Sequence, residues 1–177
     1  MTMLVRDANP GDATSIAALH ARSWRASYAS FVPPEVLGAP LEANMRTRWD
    51  VWPAGRLILL AEQAGDVLGF VAAERGGVPI VDNLHVDPGM RGGGIGERLL
   101  RHIAARLRDE GVSELRLYVL EGNTDARRFY RRLGGQEETA ADDTLLGSPV
   151  RMVPMHWSGA AFVDLASDFD CQAGKDA

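Results

Sequence analysis

A mixed α/β sheet with flanking helices is the fold class predicted by three features of this 177-residue chain. Two apolar runs, 57–63 (LILLAEQ) and 67–74 (VLGFVAAE), join at Gly65-Asp66, a hairpin spacing that implies an antiparallel pair. A strand–helix–strand–helix order follows over 79–133, which favours parallel pairing. The helix of that unit, 94–110, carries Ile95, Leu99, Leu100, Ile103 and Leu107 on one face, as a helix docked on a sheet must.

From the N-terminus, Met3 to Arg6 reads as a short first strand. Asn9-Pro10 then starts a helix, with Asn as N-cap and Pro at the first helical position. Ala13, Ile16, Ala17 and Leu19 form its apolar face through about Arg25. Pro33-Pro34 breaks the chain, and 35–50 reads as one or two short helices ending before Pro53. After the hairpin comes a strand at 79–86, then helix 94–110, closed by Gly111. Strand 114–120 (ELRLYVL) alternates, and helix 123–133 starts at Asn123 and ends at Gly134-Gly135. A last strand pair falls at about 136–141 and 149–157. One domain over 1–157 with a small, acidic tail over 158–177 is the expected organisation.

Composition narrows the function classes. Apolar residues at 46% and charged residues at 24% describe an ordinary globular chain. A net charge of −5 argues against general nucleic-acid binding, and Arg108, Arg127, Arg128, Arg131 and Arg132 are expected to form a solvated face. No apolar run approaches the ~20 residues of a membrane span. The start MTMLVRDANP lacks the basic-then-apolar pattern of a signal peptide. The single Cys171 excludes an internal disulfide and a cysteine metal cluster. A cytoplasmic protein without metal or membrane contact is expected.

Residues 81–107 hold the chemistry. A strand runs into glycines at 92, 93, 94 and 96, and these open a helix. The first turn of a helix has main-chain N–H groups without intrahelical partners and the positive end of the dipole. Glycines expose those groups, so the segment predicts a phosphate or pyrophosphate site. The dinucleotide fingerprint fails here, because its third glycine falls on Glu97 or Leu99. The P-loop fails too, because Gly94 is followed by Ile95 and Gly96 instead of Lys and Ser/Thr. What remains is R-x-x-G-x-G, filled by Arg91, Gly94 and Gly96.

With that motif the chain resembles the GNAT superfamily of N-acetyltransferases, whose coenzyme A pyrophosphate lies on such a helix start. LHVDPGMRGGGIGERLL is similar to the family's strand-to-helix segment. Asn123, Ala126, Phe129 and Tyr130, followed by Leu133-Gly134, match its second signature, and 20–37 resembles its first helices. The resemblance covers about residues 3–157. It implies a mostly antiparallel sheet of about seven strands, splayed between the fourth and fifth. It implies acetyl-coenzyme A as cosubstrate, held by Leu84, His85 and Val86 along the strand and by Arg91, Gly92, Gly93, Gly94, Ile95 and Gly96 at the pyrophosphate. Val86 N–H would bind the thioester carbonyl. Asn123 would contact the pantetheine arm, and Tyr130 would act as general acid toward the departing thiolate. Both residues also have plain readings, as an N-cap and as core.

The general base departs from the family pattern. The strand position that is often Glu, six before Val86, is Ile80. Asp82, two residues on and on the same face, is the first substitute. His85 is expected to point to the opposite face, and His20, Glu121 or a water chain are the remaining candidates. Trp24 and Tyr28, four apart on one helix face, are candidates to wall the acceptor pocket with Phe31, or else to pack the core. The acceptor is expected to be a small amine or a peptide amine. A non-catalytic acyl-coenzyme A sensor is the alternative, nucleic-acid binding through 123–133 a distant third, and a homodimer is a common state of such folds.

Overall fold

The computed structural model describes residues 2–167. Strand β1 (Leu4–Asp7) leads to a 3-10 turn at Pro10–Asp12 capped by Asn9, and then to α1 (Ala13–Tyr28). The cap is reciprocal: Asn9 accepts from Gly11 N–H while Asp12 accepts from Asn9 N–H. After α2 (Ala39–Asp50) come β2 (Arg56–Gln63), β3 (Asp66–Glu74) and β4 (Ile80–Val86). Then follow α3 (Ile95–Asp109), β5 (Glu114–Leu120), α4 (Thr124–Arg132), β6 (Gln136–Glu137), β7 (Ala141–Leu145), β8 (Ser148–Ser158) and α5 (Gly159–Leu165). The expected elements are present within a few residues of their expected bounds.

Strand order is β1-β2-β3-β4-β5-β8-β6, with β7 paired to β8. Every pairing is antiparallel except β4 with β5. The count is eight strands, not about seven, because 136–145 divides into β6 and β7 around a break at 138–140. Two tight hairpins share one solution. Ala64-Gly65 and Leu146-Gly147 both have positive φ at both turn residues, the combination that matches the right-handed twist of the strands they join.

Side chains on the two faces of the sheet build two cores. Leu57, Leu59, Val71 and Val81 meet Leu99, Ile103 and Leu107 of α3. Ile58, Leu60 and Phe70 meet Ile16, Leu19 of α1 and Leu41, Met45, Trp49 of α2. Gly69 permits the first contact, since a Cβ there would stand 2.9 Å from the His85 carbonyl oxygen and 3.1 Å from Leu99. The expected tail begins instead with α5. Phe162 and Leu165 are buried in the α3 core, and Arg101 and Arg108 donate to carbonyls at the end of α5. Small residues at 158–161 concealed that amphipathic pattern, and the remaining tail, 168–177 with Cys171, lies outside the described residues.

Candidate functional site

The site forms where two parallel neighbours part. β4 and β5 are paired only at Ile80–Arg116 and Val81–Leu117. Beyond them β5 remains paired with β8 as far as Leu120, and β4 remains paired with β3 as far as Val86. Asp87 N–H donates to Leu68 on β3, 2.8 Å away. N–H directions alternate along a strand, so the Leu84 and Val86 N–H groups point away from β3 and into the gap.

The glycine loop lies at the end of this gap. A 3-10 turn, Pro88–Met90, is capped by Asp87, whose carboxylate accepts from Gly89 N–H and binds Arg22 of α1. Gly92 and Gly94 have φ of +83° and +78°, conformations that L side chains rarely adopt. A Cβ built on either meets nothing within 4 Å, so the space over the loop is open. The first helical N–H with an intrahelical partner is that of Arg98, which donates to Gly94. Gly96 brings α3 close to its neighbours, with Val86 and Phe129 at 3.6 and 3.5 Å from its Cβ position. Glu97 turns along the helix to Arg101 at 3.0 Å. These residues supply what an anion with an extended arm requires: open main-chain donors, a helix start and an unpaired strand edge.

Arg91 reaches across to α1, donating to Ser27 Oγ at 2.9 Å and Ser23 Oγ at 3.2 Å. The Ser23 hydroxyl lies 3.0 Å from His85 Nδ1. The Ser23 hydroxyl thus links Arg91 to the His85 ring. His85 in turn lies 4.4 Å from His20, centroid to centroid, and His20 Nδ1 accepts the Trp49 indole N–H at 3.1 Å. Burial, then the Arg91 and Arg48 charges, push the His85 pKa down to about 3, and burial drives His20 lower still. Both rings are therefore neutral, and neither is an effective base.

One strand irregularity overturns an expectation. β4 bulges at Asp82, where the register jumps from Ala72–Asn83 to Ala73–Val81. The extra residue reverses the alternation, so Asp82 and His85 share the α1–α2 side of the sheet. The Asp82 carboxylate is bonded to Arg56, to Arg48 at 3.1 Å and to the Asn83 amide. Burial raises its pKa against the pull of these two arginines.

Asn123 caps α4, its side-chain oxygen accepting from Ala126 N–H at 3.2 Å. Tyr130 packs edge-on against Trp157, 6.0 Å between centroids. Its phenol is pushed above the usual tyrosine range, first by burial and then by nearby Tyr28. Trp24 and Tyr28 share a face of α1, as expected, with rings 4.7 Å apart. The Trp24 indole N–H is buried without a partner among the described residues. A cavity of about 480 Å³ opens between residues 30–31, 120–122, 142–143 and 149–151, so Phe31 lines it while Trp24 and Tyr28 do not.

Sequence reasoning missed this cavity and the serine–histidine chain. Both join residues far apart in the chain, and no local spacing marks them. The arginines of α4 are engaged: Arg127 and Arg131 pair with Glu137, and Arg128 with Asp125. Among the described residues no group of His, Cys, Asp and Glu is placed to hold a metal ion, and no helix is long and apolar enough to cross a membrane.

A model of the acetyltransferase (GNAT) family matches residues 18–135. The mycothiol acetyltransferase of Thermobispora bispora is 40% identical over 111 residues, 57% of this chain and 37% of that protein. This chain thus spans little more than a third of that relative. An uncharacterized N-acetyltransferase of Mycobacterium bovis is 30% identical over 128 residues, 70% of this chain and 82% of that protein. Among solved structures, the PaiA N-acetyltransferase of Thermoplasma acidophilum in complex with coenzyme A matches with a TM-score of 0.70 at 22% identity. That match covers 86% of this chain and 98% of the other, and it speaks for the fold.

Proposed function

Because the chain belongs to the acetyltransferase (GNAT) family, we propose that it transfers an acetyl group from acetyl-coenzyme A to a primary amine. Attack is direct, with both substrates bound. The observation that carries this reading is the parting of β4 from β5 beside the glycine start of α3. Bound acetyl-coenzyme A supplies an activated thioester carbonyl. Main-chain N–H groups of 92–97 hold the pyrophosphate, with Arg91 in reach from its place on Ser23 and Ser27. The pantetheine arm lies along Leu84, His85 and Val86, and the Val86 N–H stabilises charge developing on the carbonyl oxygen. Asn123, already an N-cap, has its amide N–H groups left for the arm.

The N–C bond forms, the C–S bond breaks, the amine gives up a proton and the sulfur receives one. A phenol pushed above its usual pKa of ~10 is a weaker acid than a thiol at ~8.5. Tyr130 therefore acts toward the thiolate chiefly as a hydrogen-bond donor. Asp82 stands four residues before Val86, roughly 13 Å along an extended strand, so it takes the amine proton only through water. Its raised pKa favours that role; its two arginines oppose it. Trp24 and Tyr28 wall the acceptor side.

Ile80 at the usual glutamate position and the tethering of Asp82 favour one alternative, an acyl-coenzyme A sensor without catalysis. Thioester cleavage over a panel of amines separates the two. Amine-dependent release of coenzyme A supports the enzyme. Binding without release across the panel supports the sensor.

A further inference from the structure

The cavity lined by Phe31 has a composition suited to one kind of acceptor. Phe31 follows α1 by a turn in which its N–H donates to the Tyr28 carbonyl, and Leu120, at the end of β5 beyond its pairing with β4, lines the same cavity. The Phe31 ring lies on Gly122, where a Cβ would stand 2.6 Å from it, and Leu120 and Val150 add apolar wall. Such a surface suits a chain of methylenes.

Three carboxylates, Glu121, Asp142 and Asp143, line the same cavity against one guanidinium, Arg151. Arg151 donates to Glu121 at 3.0 Å and to Asp142 at 2.9 Å. Asp143 accepts from Thr144 N–H and has no cationic partner among the described residues. Arg127 of α4 gives its side chain to Glu137 and to the Glu121 carbonyl, and its charge also acts on the Glu121 carboxylate, so Asp143 is the cavity carboxylate left without a cation. A concave, partly apolar space at the end of the reaction gap thus carries a surplus of negative charge.

Resting on the acetyltransferase reading, we propose that the acceptor carries a second cationic group beyond the amine that is acetylated, as in a short alkyl diamine or polyamine. The second ammonium lies among Asp143, Asp142 and Glu121, and the methylenes lie on Phe31 and Leu120. The free amine then points back past Tyr28 toward Val86.

The test compares butane diamine with pentylamine, of similar length, as acceptors for acetyl-coenzyme A. The comparison is made in the wild type and in the double variant Asp142→Asn, Asp143→Asn. Exposed ion pairs of this kind predict a kcat/KM preference for the diamine of roughly twofold to fivefold. The preference should fall toward one in the variant and shrink with added salt. A wild-type preference of one, or a preference unchanged in the variant, overturns the proposal. Calorimetry gives an independent reading. If coenzyme A binds but neither amine is acetylated, diamine binding to the loaded protein that weakens in the variant supports the cation-binding pocket, and absence of binding overturns it. If coenzyme A fails to bind, the acetyltransferase reading falls, and the same diamine titration into the protein alone decides the pocket.

Discussion

Acidification from pH 6.5 to 5 should destabilise this protein through His20 and His85. Both rings are buried, at 1% and 8% exposure, and His20 Nδ1 already accepts the Trp49 indole N–H. Protonating His20 turns that acceptor into a donor facing a donor, and protonating His85 puts a charge in a fully desolvated place beside Arg91. An unfolded histidine has a pKa near ~6.5, while folded His85 stays neutral down to about 3 and folded His20 lower. Between these limits the unfolded chain binds protons that the folded chain does not. Their contribution is therefore complete above the unfolded pKa and is lost as pH falls below it. The slope is about 1.4 kcal/mol per pH unit for each histidine, so about 4 kcal/mol for the pair by pH 5. Asp12, Asp87, Glu110 and Glu137, whose pKa values are lowered by arginine partners, lose their contribution as pH falls through and below the ordinary carboxylate range, under this window. Asp82, raised by burial, works in the opposite sense to the histidines and is common to all the variants. Urea unfolding at several pH values reads the slope directly. His20→Asn places an amide oxygen where Nδ1 accepted, and His85→Asn keeps an uncharged polar group beside Ser23. Each should remove about half of the slope, and the pair nearly all of it. A double variant with the wild-type slope would refute the neutral-pair account.

Three further outcomes follow from particular contacts. Gly94→Ala forces a side chain into φ +78°, costing about 1–2 kcal/mol locally; coenzyme A affinity, read by calorimetry, should fall, and unchanged affinity would count against the loop. Gly135→Ala puts a Cβ 2.6 Å from the Trp157 ring, so urea unfolding should show a loss of about 1–3 kcal/mol; a neutral change would mean that Trp157 is not held as described. Tyr130→Phe should lower kcat by roughly tenfold to a hundredfold, the worth of one hydrogen bond to a charged group, with little change in KM for acetyl-coenzyme A. A fall only in KM would make Tyr130 a packing residue.

The helices and strands were legible because each has a strong local pattern. The apolar stripe of α3, the alternation of β5 and the Asn caps at 9 and 123 all report on the next few residues. The glycine loop was legible for the same reason. Asp82 and His85 show where that legibility ends. Strict alternation separates them, and one bulged residue puts them on the same side. The bulge depends on pairing with β3, so the strand alone does not report it. The cavity under the β7–β8 hairpin brings together 30–31, 120–122, 142–143 and 149–151, and α5 is buried by contacts from α3. Such groupings are decided by tertiary packing, which spacing along the chain does not encode.

Coenzyme A should lie across the start of α3 and along the free edge of β4. Backbone amide shifts measured by NMR during a coenzyme A titration locate it residue by residue. The largest changes are expected at Gly92 to Glu97 and at Leu84 and Val86, the amides that open onto the loop and the gap. Saturation with coenzyme A that leaves these amides unmoved, or that moves a different surface, would contradict this placement.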